Sequence, residues 1–224
     1  MENLGNVRRQ QGLNQQEVAR RLGVSQTLVS LWEHGVRKVP AKRLHQLRQL
    51  GMKLSPVALP LRDEVNLGDS DYAQELSNLG YPGFAHFQSA EPNWNPAQLL
   101  VAALSERNLD RRVAEALPWL VMRYWEMDWD WVHRQAKLGN LQNRLGFTLA
   151  LARKLAVREK LQEVEVRVGK QEELLQESLL AKEDTYCYER MTRAERKWLQ
   201  SRRSADAARW HVLSDLEPAY LVHV

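Results

Sequence analysis

Between Leu13 and Pro40 the chain reads LNQQEVARRLGVSQTLVSLWEHGVRKVP, and the punctuation of this stretch leaves few ways to fold. Asn14 is an N-cap residue, and Gln15 to Leu22 then carries Val18, Ala19 and Leu22 at helical spacing on one face. Gly23 accepts the left-handed backbone that a sharp corner demands, and Val24 is placed to plug the corner. Ser25 is a second N-cap, opening a helix from Gln26 to about His34 that Gly35 stops. Val29 and Trp32, three apart, face inward. Gln26, Thr27, Ser30 and Leu31 are left on the outer face. Two short helices across a tight turn place the second so that it can enter a DNA major groove.

Charge agrees with that reading. The chain has 224 residues and a formal net charge of +4, distributed unevenly. Residues 1–60 hold ten Lys/Arg against three Asp/Glu, a net of +7, while the remainder nets −3. A basic end on a near-neutral body suits phosphate neutralisation. Hydrophobic residues are 44% of the chain, which supports packed cores and argues against wholesale disorder. No apolar run reaches the roughly 18 residues of a membrane span, and no signal peptide precedes the first helix. With Cys187 as its one cysteine, the chain has no internal disulfide to form, and a cytoplasmic setting is expected.

The surroundings of the motif complete a small domain. Leu4 to Gln11 is helical, with Leu4 and Val7 inward and Gly12 as its stop. Pro40 opens a helix bearing Leu44, Leu47 and Leu50, which Gly51 closes, and Ser55-Pro56 starts a last short helix. Residues 4–59 resemble the Cro and lambda-repressor type of helix-turn-helix, the XRE family. The residues that carry this are Gly12-Leu13, Gln15, Glu17, Ala19, Gly23-Val24-Ser25, Val29-Ser30, Trp32-Glu33, Gly35 and Pro40. The resemblance implies a five-helix bundle that binds double-stranded DNA operators as a homodimer. It assigns Gln15 to a phosphate contact that also braces the reading helix, and Gln26, Thr27, Ser30 and Leu31 to base-edge and phosphate contacts. Glutamine can bond adenine N6 and N7 together, and an apolar group can cover a thymine methyl. Leu31 stands where a polar residue is frequent, so its alternative is a core or interface leucine. Arg8 and Glu33 match an internal ion pair joining the first helix to the end of the reading helix. Arg37, Lys38, Lys42 and Arg43 are read as phosphate contacts or, one by one, as solvated charges.

Three domains are expected: a helix-turn-helix domain over 1–59, a Pro/Gly-rich connector over 60–96, and a helical partner-binding or oligomerisation domain over 97–224. Within the connector, Tyr72 to Leu79 is a short amphipathic helix. The aromatic run Tyr81 to Phe87 looks docked, on the second domain or on a partner. Beyond it the spacing predicts helices from Asn95-Pro96, from near Asp110, from Asp128 to Gly139 and from near Asn140, with Pro118 kinking the second or marking its start. From Leu141 to Glu183 no proline intervenes. Leu161, Val164, Val168 and Leu175 form a seam there, and the segment is either one long helix or a hairpin turning near Gly169. Thr192 caps a further helix, and another runs from Ser204 through Leu213. The whole is all-α.

Chemistry is sparse. Asp128 and Asp130 flank Trp129 at a helix start, where carboxylates favour the dipole. His133 and His211 lack partners at metal-ligand spacing, and acidic neighbours disfavour a Cys187 thiolate. No enzyme, metal or cofactor is expected. Trp125, Trp129 and Trp131, with Phe84 and Phe87, are candidates for binding a protein partner, with a buried core as the alternative. The segments Leu117-Pro118-Trp119-Leu120, Asp128 to Trp131 and Leu141 to Phe147 are similar to antitoxin-type regulators beside nucleotidyltransferase-like toxins. That resemblance implies a repressor that autoregulates its operon and neutralises a protein toxin. The alternative is a dimeric repressor whose Trp-rich helical domain senses a small molecule.

Overall fold

A computed structural model describes residues 4–37, 39–52, 55–61, 69–87 and 91–221; the side chains at 41, 42, 45, 48 and 69–71 are outside it. The chain divides into two compact units, Met1–Arg62 with Asn93–Asn95, and Asp63–Pro92 with Pro96–Val224.

The first unit is built from α1 (Leu4–Gln10), α2 (Gln15–Leu22), α3 (Gln26–Glu33) and α4 (Ala41–Gln49). Its fifth element, Pro56–Ala58, is one 3-10 turn rather than an α-helix. Asn14 and Glu17 form a reciprocal capping box: Asn14 Oδ1 accepts from the Glu17 N–H at 2.8 Å, and the Asn14 N–H donates to Glu17 Oε2 at 2.6 Å. Gly23 turns the corner at φ +63°, so the Val24 N–H can reach back to the Ala19 carbonyl at 3.0 Å. Ser25 then caps α3 through the Leu28 N–H. Val18, Val29, Trp32, Leu47 and Met52 fill the core, with Val24 against its edge. Asn95 closes the far end. Its Nδ2 donates to the carbonyls of Leu59 at 2.7 Å and Val57 at 3.1 Å.

The second unit begins with α5 (Asp69–Asn78) and a 3-10 turn at Pro82–Phe84. It continues through α6 (Pro96–Ser105), α7 (Arg111–Arg123), α8 (Trp129–Leu138), α9 (Gln142–Arg158) and α10 (Gln162–Gln176). Helix α9 is its axis. Leu145, Phe147, Leu149, Leu151 and Leu155 are fully buried, and α7, α8 and α10 pack around it. From Gln142 to Ala152 every residue of α9 is buried, the polar ones included, so this part of the helix lies inside the unit. Asp110 caps α7 and Asp128 caps α8, each through a carboxylate on backbone N–H groups. Pro118 lies in the middle of α7, not at its start.

Two expectations are corrected and one open alternative is decided. The segment after Leu141 is a hairpin, but its turn falls at residues 159–161, where Lys160 takes φ +59° and the Leu161 N–H bonds the Ala156 carbonyl at 2.8 Å. Gly169 sits inside α10 instead, where a Cβ would lie 3.2 Å from Arg153 Cδ. The last helix, α12 (Ala205–Arg209), does not run on to Leu213. It stops at Trp210, and β2 (Val212–Leu213) pairs in parallel with β1 (Asp184–Thr185). Finally, the aromatic run near residue 84 belongs to the second unit's interior. Tyr81 and Phe84 are buried, and Tyr124 Oη donates to the Leu79 carbonyl at 2.8 Å. Helix α11 (Arg193–Arg202) has the capping box of Thr192 with Glu195.

The polar interior of this unit centres on Arg144, in the first turn of α9 and only 6% exposed at its side chain. Its Nε and Nη2 grip Asp184 at 2.8 and 2.9 Å, while Nη1 donates to the carbonyls of Leu104 and Glu106. Helix α9, the end of α6 and β1 are thereby tied at one point. Burial opposes the charge, but the Asp184 bond prevails and the Arg144 pKa is raised.

Candidate nucleic-acid interface

Helix α3 presents Gln26 and Thr27 exposed to solvent, with Ser30 and Leu31 half-exposed one turn on. Val29 and Trp32 hold the opposite face in the core. The outer face is anchored by a relay of hydrogen bonds. Gln26 Nε2 lies 3.5 Å from Gln15 Oε1, and Gln15 Nε2 donates to Glu33 Oε2 at 2.9 Å. Glu33 in turn accepts from Arg8 Nε at 2.6 Å and Nη2 at 3.2 Å, a fork on a carboxylate. Arg8 Nη1 also donates to the Leu13 carbonyl at 2.7 Å, fastening the loop before α2. The Arg8 and Glu33 side chains are 11% and 8% exposed. Burial pushes the Glu33 carboxyl up, yet the bonds from Arg8 and Gln15 outweigh it, and its pKa lies below the usual range. At the far end of α3, His34 Nδ1 lies 2.7 Å from the Ser30 carbonyl, which requires the proton on Nδ1.

Residues 4–50 match the helix-turn-helix family model. This part of the chain is therefore a helix-turn-helix domain of the XRE type, and the match supports a DNA-binding transcription regulator. Neither a curated protein nor a solved structure matches the chain. In this helix-turn-helix, α3 is the second helix of the motif, the one that lies in the major groove in such domains.

Around the helix-turn-helix the basic residues divide. Arg37 is exposed, directly past the end of α3, and its N–H bonds the Leu31 carbonyl at 3.2 Å. Lys38 and the Lys42 side chain lie outside the described residues. Arg43 is engaged within the domain: its Nη1 donates to the Leu22 carbonyl at 2.6 Å and to Gln46 Oε1 at 2.7 Å. It caps the carbonyl end of α2 from α4, a use inside the domain. Nothing in the sequence signals this, because the Leu22 carbonyl becomes its neighbour only through packing.

In the second unit the aromatic candidates separate as well. Trp125, Trp129 and Trp131 are half-buried, and Trp129 Nε1 donates to the Trp125 carbonyl at 2.7 Å. The Arg167 guanidinium stands 5.9 Å from the Trp125 ring centroid. Phe84, expected at a partner surface, is buried instead, edge-on to Tyr81 and Phe87 and beneath Arg112. Phe87 is half-buried beside it. Burial pushes the Cys187 thiol up to about 12 despite the opposing pull of Arg144. A thiol so placed is a packing group. Among the described residues no group of three His, Cys, Asp or Glu is arranged to hold a metal, and no helix is long and apolar enough to cross a membrane.

Proposed function

We propose that this chain is a sequence-specific repressor that binds its operator as a homodimer through α3. The observation that carries the reading is the relay from Gln26 through Gln15 to the Arg8–Glu33 pair. It holds a solvent-facing glutamine on a helix whose inner face is locked in a core. Gln26, Thr27, Ser30 and Leu31 read base edges, and Arg37 with Lys38 and Lys42 neutralises phosphate. Arg43 is omitted from that face because its guanidinium serves α2. Selection of bound duplexes from a random library, followed by footprinting, tests this. The expected product is a pseudo-palindrome with half-sites about 34 to 36 Å apart. Recovery of unrelated duplexes in equal yield would sink the proposal.

The finer reading is that the second unit captures a protein toxin encoded beside this chain, which makes the protein an autoregulating antitoxin. Its half-buried Trp125, Trp129 and Trp131 supply the aromatic surface such capture uses. Co-expression with the neighbouring reading frame tests it: growth arrest by that frame alone, relieved by this chain, is the expected result. A second reading, a repressor commanded by a small molecule, has its own support. A groove of about 570 Å³ opens in the second unit, within the range of ligand pockets.

A further inference from the structure

The groove lies between α7 and the segment carrying α11, with β2 and the residues after it as its floor. Leu109, Ala114, Met191, Leu199 and Leu216 make its walls apolar. Two aromatic side chains that line it are about half exposed, Trp198 at 48% and Tyr188 at 43%, and the Arg202 guanidinium stands over one face of the Trp198 ring at 5.6 Å. Exposed rings on a concave apolar wall can take a second surface against them.

The charges around this groove have one dominant sign. Asp110, Glu115, Glu195 and Asp215 line it, against Arg111 alone among the cationic side chains of the lining. Three of the four carboxylates have structural work. Asp110 caps α7, Glu195 completes the box with Thr192, and Glu115 takes Arg111 Nε at 2.8 Å. Arg111 is 75% exposed, so that pair sits at the rim. Asp215 differs. It is half-buried and takes no hydrogen bond among the described residues, its influence on Arg111 being through space.

We propose that this groove binds an organic monocation with an apolar or aromatic body, the body lying against Trp198 and Tyr188 and the charge beside Asp215. The chemistry is complementary throughout. Apolar area is removed from water by the walls, the Tyr188 ring and the Trp198 face away from Arg202 attract a cation, and a carboxylate that accepts no hydrogen bond among the described residues gains a charged neighbour. An anion of the same shape would meet a surplus of negative charge, and a neutral one would leave Asp215 desolvated without compensation. A small ligand suits the site better than a protein segment because the opening is concave and its volume matches one drug-sized molecule. This deepens the small-molecule reading of the repressor by naming the class of effector.

The test uses the full-length protein and a charge-reversed pair of probes, tetraphenylphosphonium and tetraphenylborate, followed by titration calorimetry. Tetraphenylphosphonium is expected to bind with one site per chain and the borate not to bind. Asp215→Asn should weaken tetraphenylphosphonium roughly tenfold. Met191→Trp, which fills the groove from its edge, should abolish binding, and circular dichroism melts will confirm that both variants remain folded. Equal binding of the two probes, no binding of either, or an unchanged affinity in Asp215→Asn would overturn the proposal; the last two would also indicate that the groove serves another occupant or none. Operator affinity is measured separately. Binding of the phosphonium without any effect on operator affinity keeps the site and removes only the sensing role.

Discussion

Glu33 is the residue on which the DNA-binding domain turns, because it receives both Arg8 and Gln15 while almost wholly buried. Removing one partner strands the other's charge, so Arg8→Met should cost about 3 kcal/mol of stability, measured by denaturant unfolding. The folded pKa of Glu33 is lowered, so the pair's contribution is complete above the ordinary glutamate value of about 4.3. It is lost as pH falls from there through the lowered folded value, and acid melts of Arg8→Met should show a shallower slope over that window. Further out, Gln26→Ala should lower operator affinity by about 1 to 3 kcal/mol and relax preference at one base position. Arg37→Ala should weaken all duplexes alike and reduce the salt slope by about one. Competition binding across operator variants and salt concentrations separates the two. At this scale the sequence is informative where chemistry is local: Asn14, Gly23 and Ser25 announce their roles through spacing to neighbours. Arg43 and Arg144 do not, since their carbonyl and carboxylate partners lie far along the chain.

Helices were legible from periodicity wherever a polar cap met an apolar face, as at Asp110, Asp128 and Thr192. Turns were legible where glycine made them. The α9–α10 hairpin turns on Lys160 at φ +59°, a conformation that side chains resist and that a reader of sequence assigns to glycine. Lys160→Gly should therefore stabilise the second unit by about 0.5 to 1 kcal/mol, read as a rise in its melting temperature. The opposite lesson comes from Gly146 within α9, which looks like a helix flaw. A Cβ there would overlap the ring of Trp210, a side chain with no exposed surface. The glycine is the seat of that ring, and Gly146→Ala should destabilise the unit by about 1 to 3 kcal/mol. The two-residue β1–β2 ladder was invisible for another reason: strands so short carry no alternation to detect.

At the scale of the molecule, residues 1–60 carry a net +7 and the remainder −3, so electrostatic attraction to phosphate is concentrated in the first 60 residues. The first unit runs through Arg62, and the second takes in α5 and the aromatic turn. Within this stretch Tyr72, Leu76, Leu79, Tyr81 and Phe84 are buried, while Gly80 and Pro82 stay exposed. Nor does the first unit end where its helices do. Asn95→Ala should lower its stability by about 1 to 2 kcal/mol, through the two carbonyls that would lose a donor. Hydrogen exchange at α4 is the measurement. That tie also sets an order of events during synthesis. The DNA-binding domain leaves the ribosome first, yet its last closure waits for Asn95, which emerges only after the whole of Asp63–Pro92. A nascent chain halted within that segment would carry a complete reading helix on a domain still unfastened at one edge.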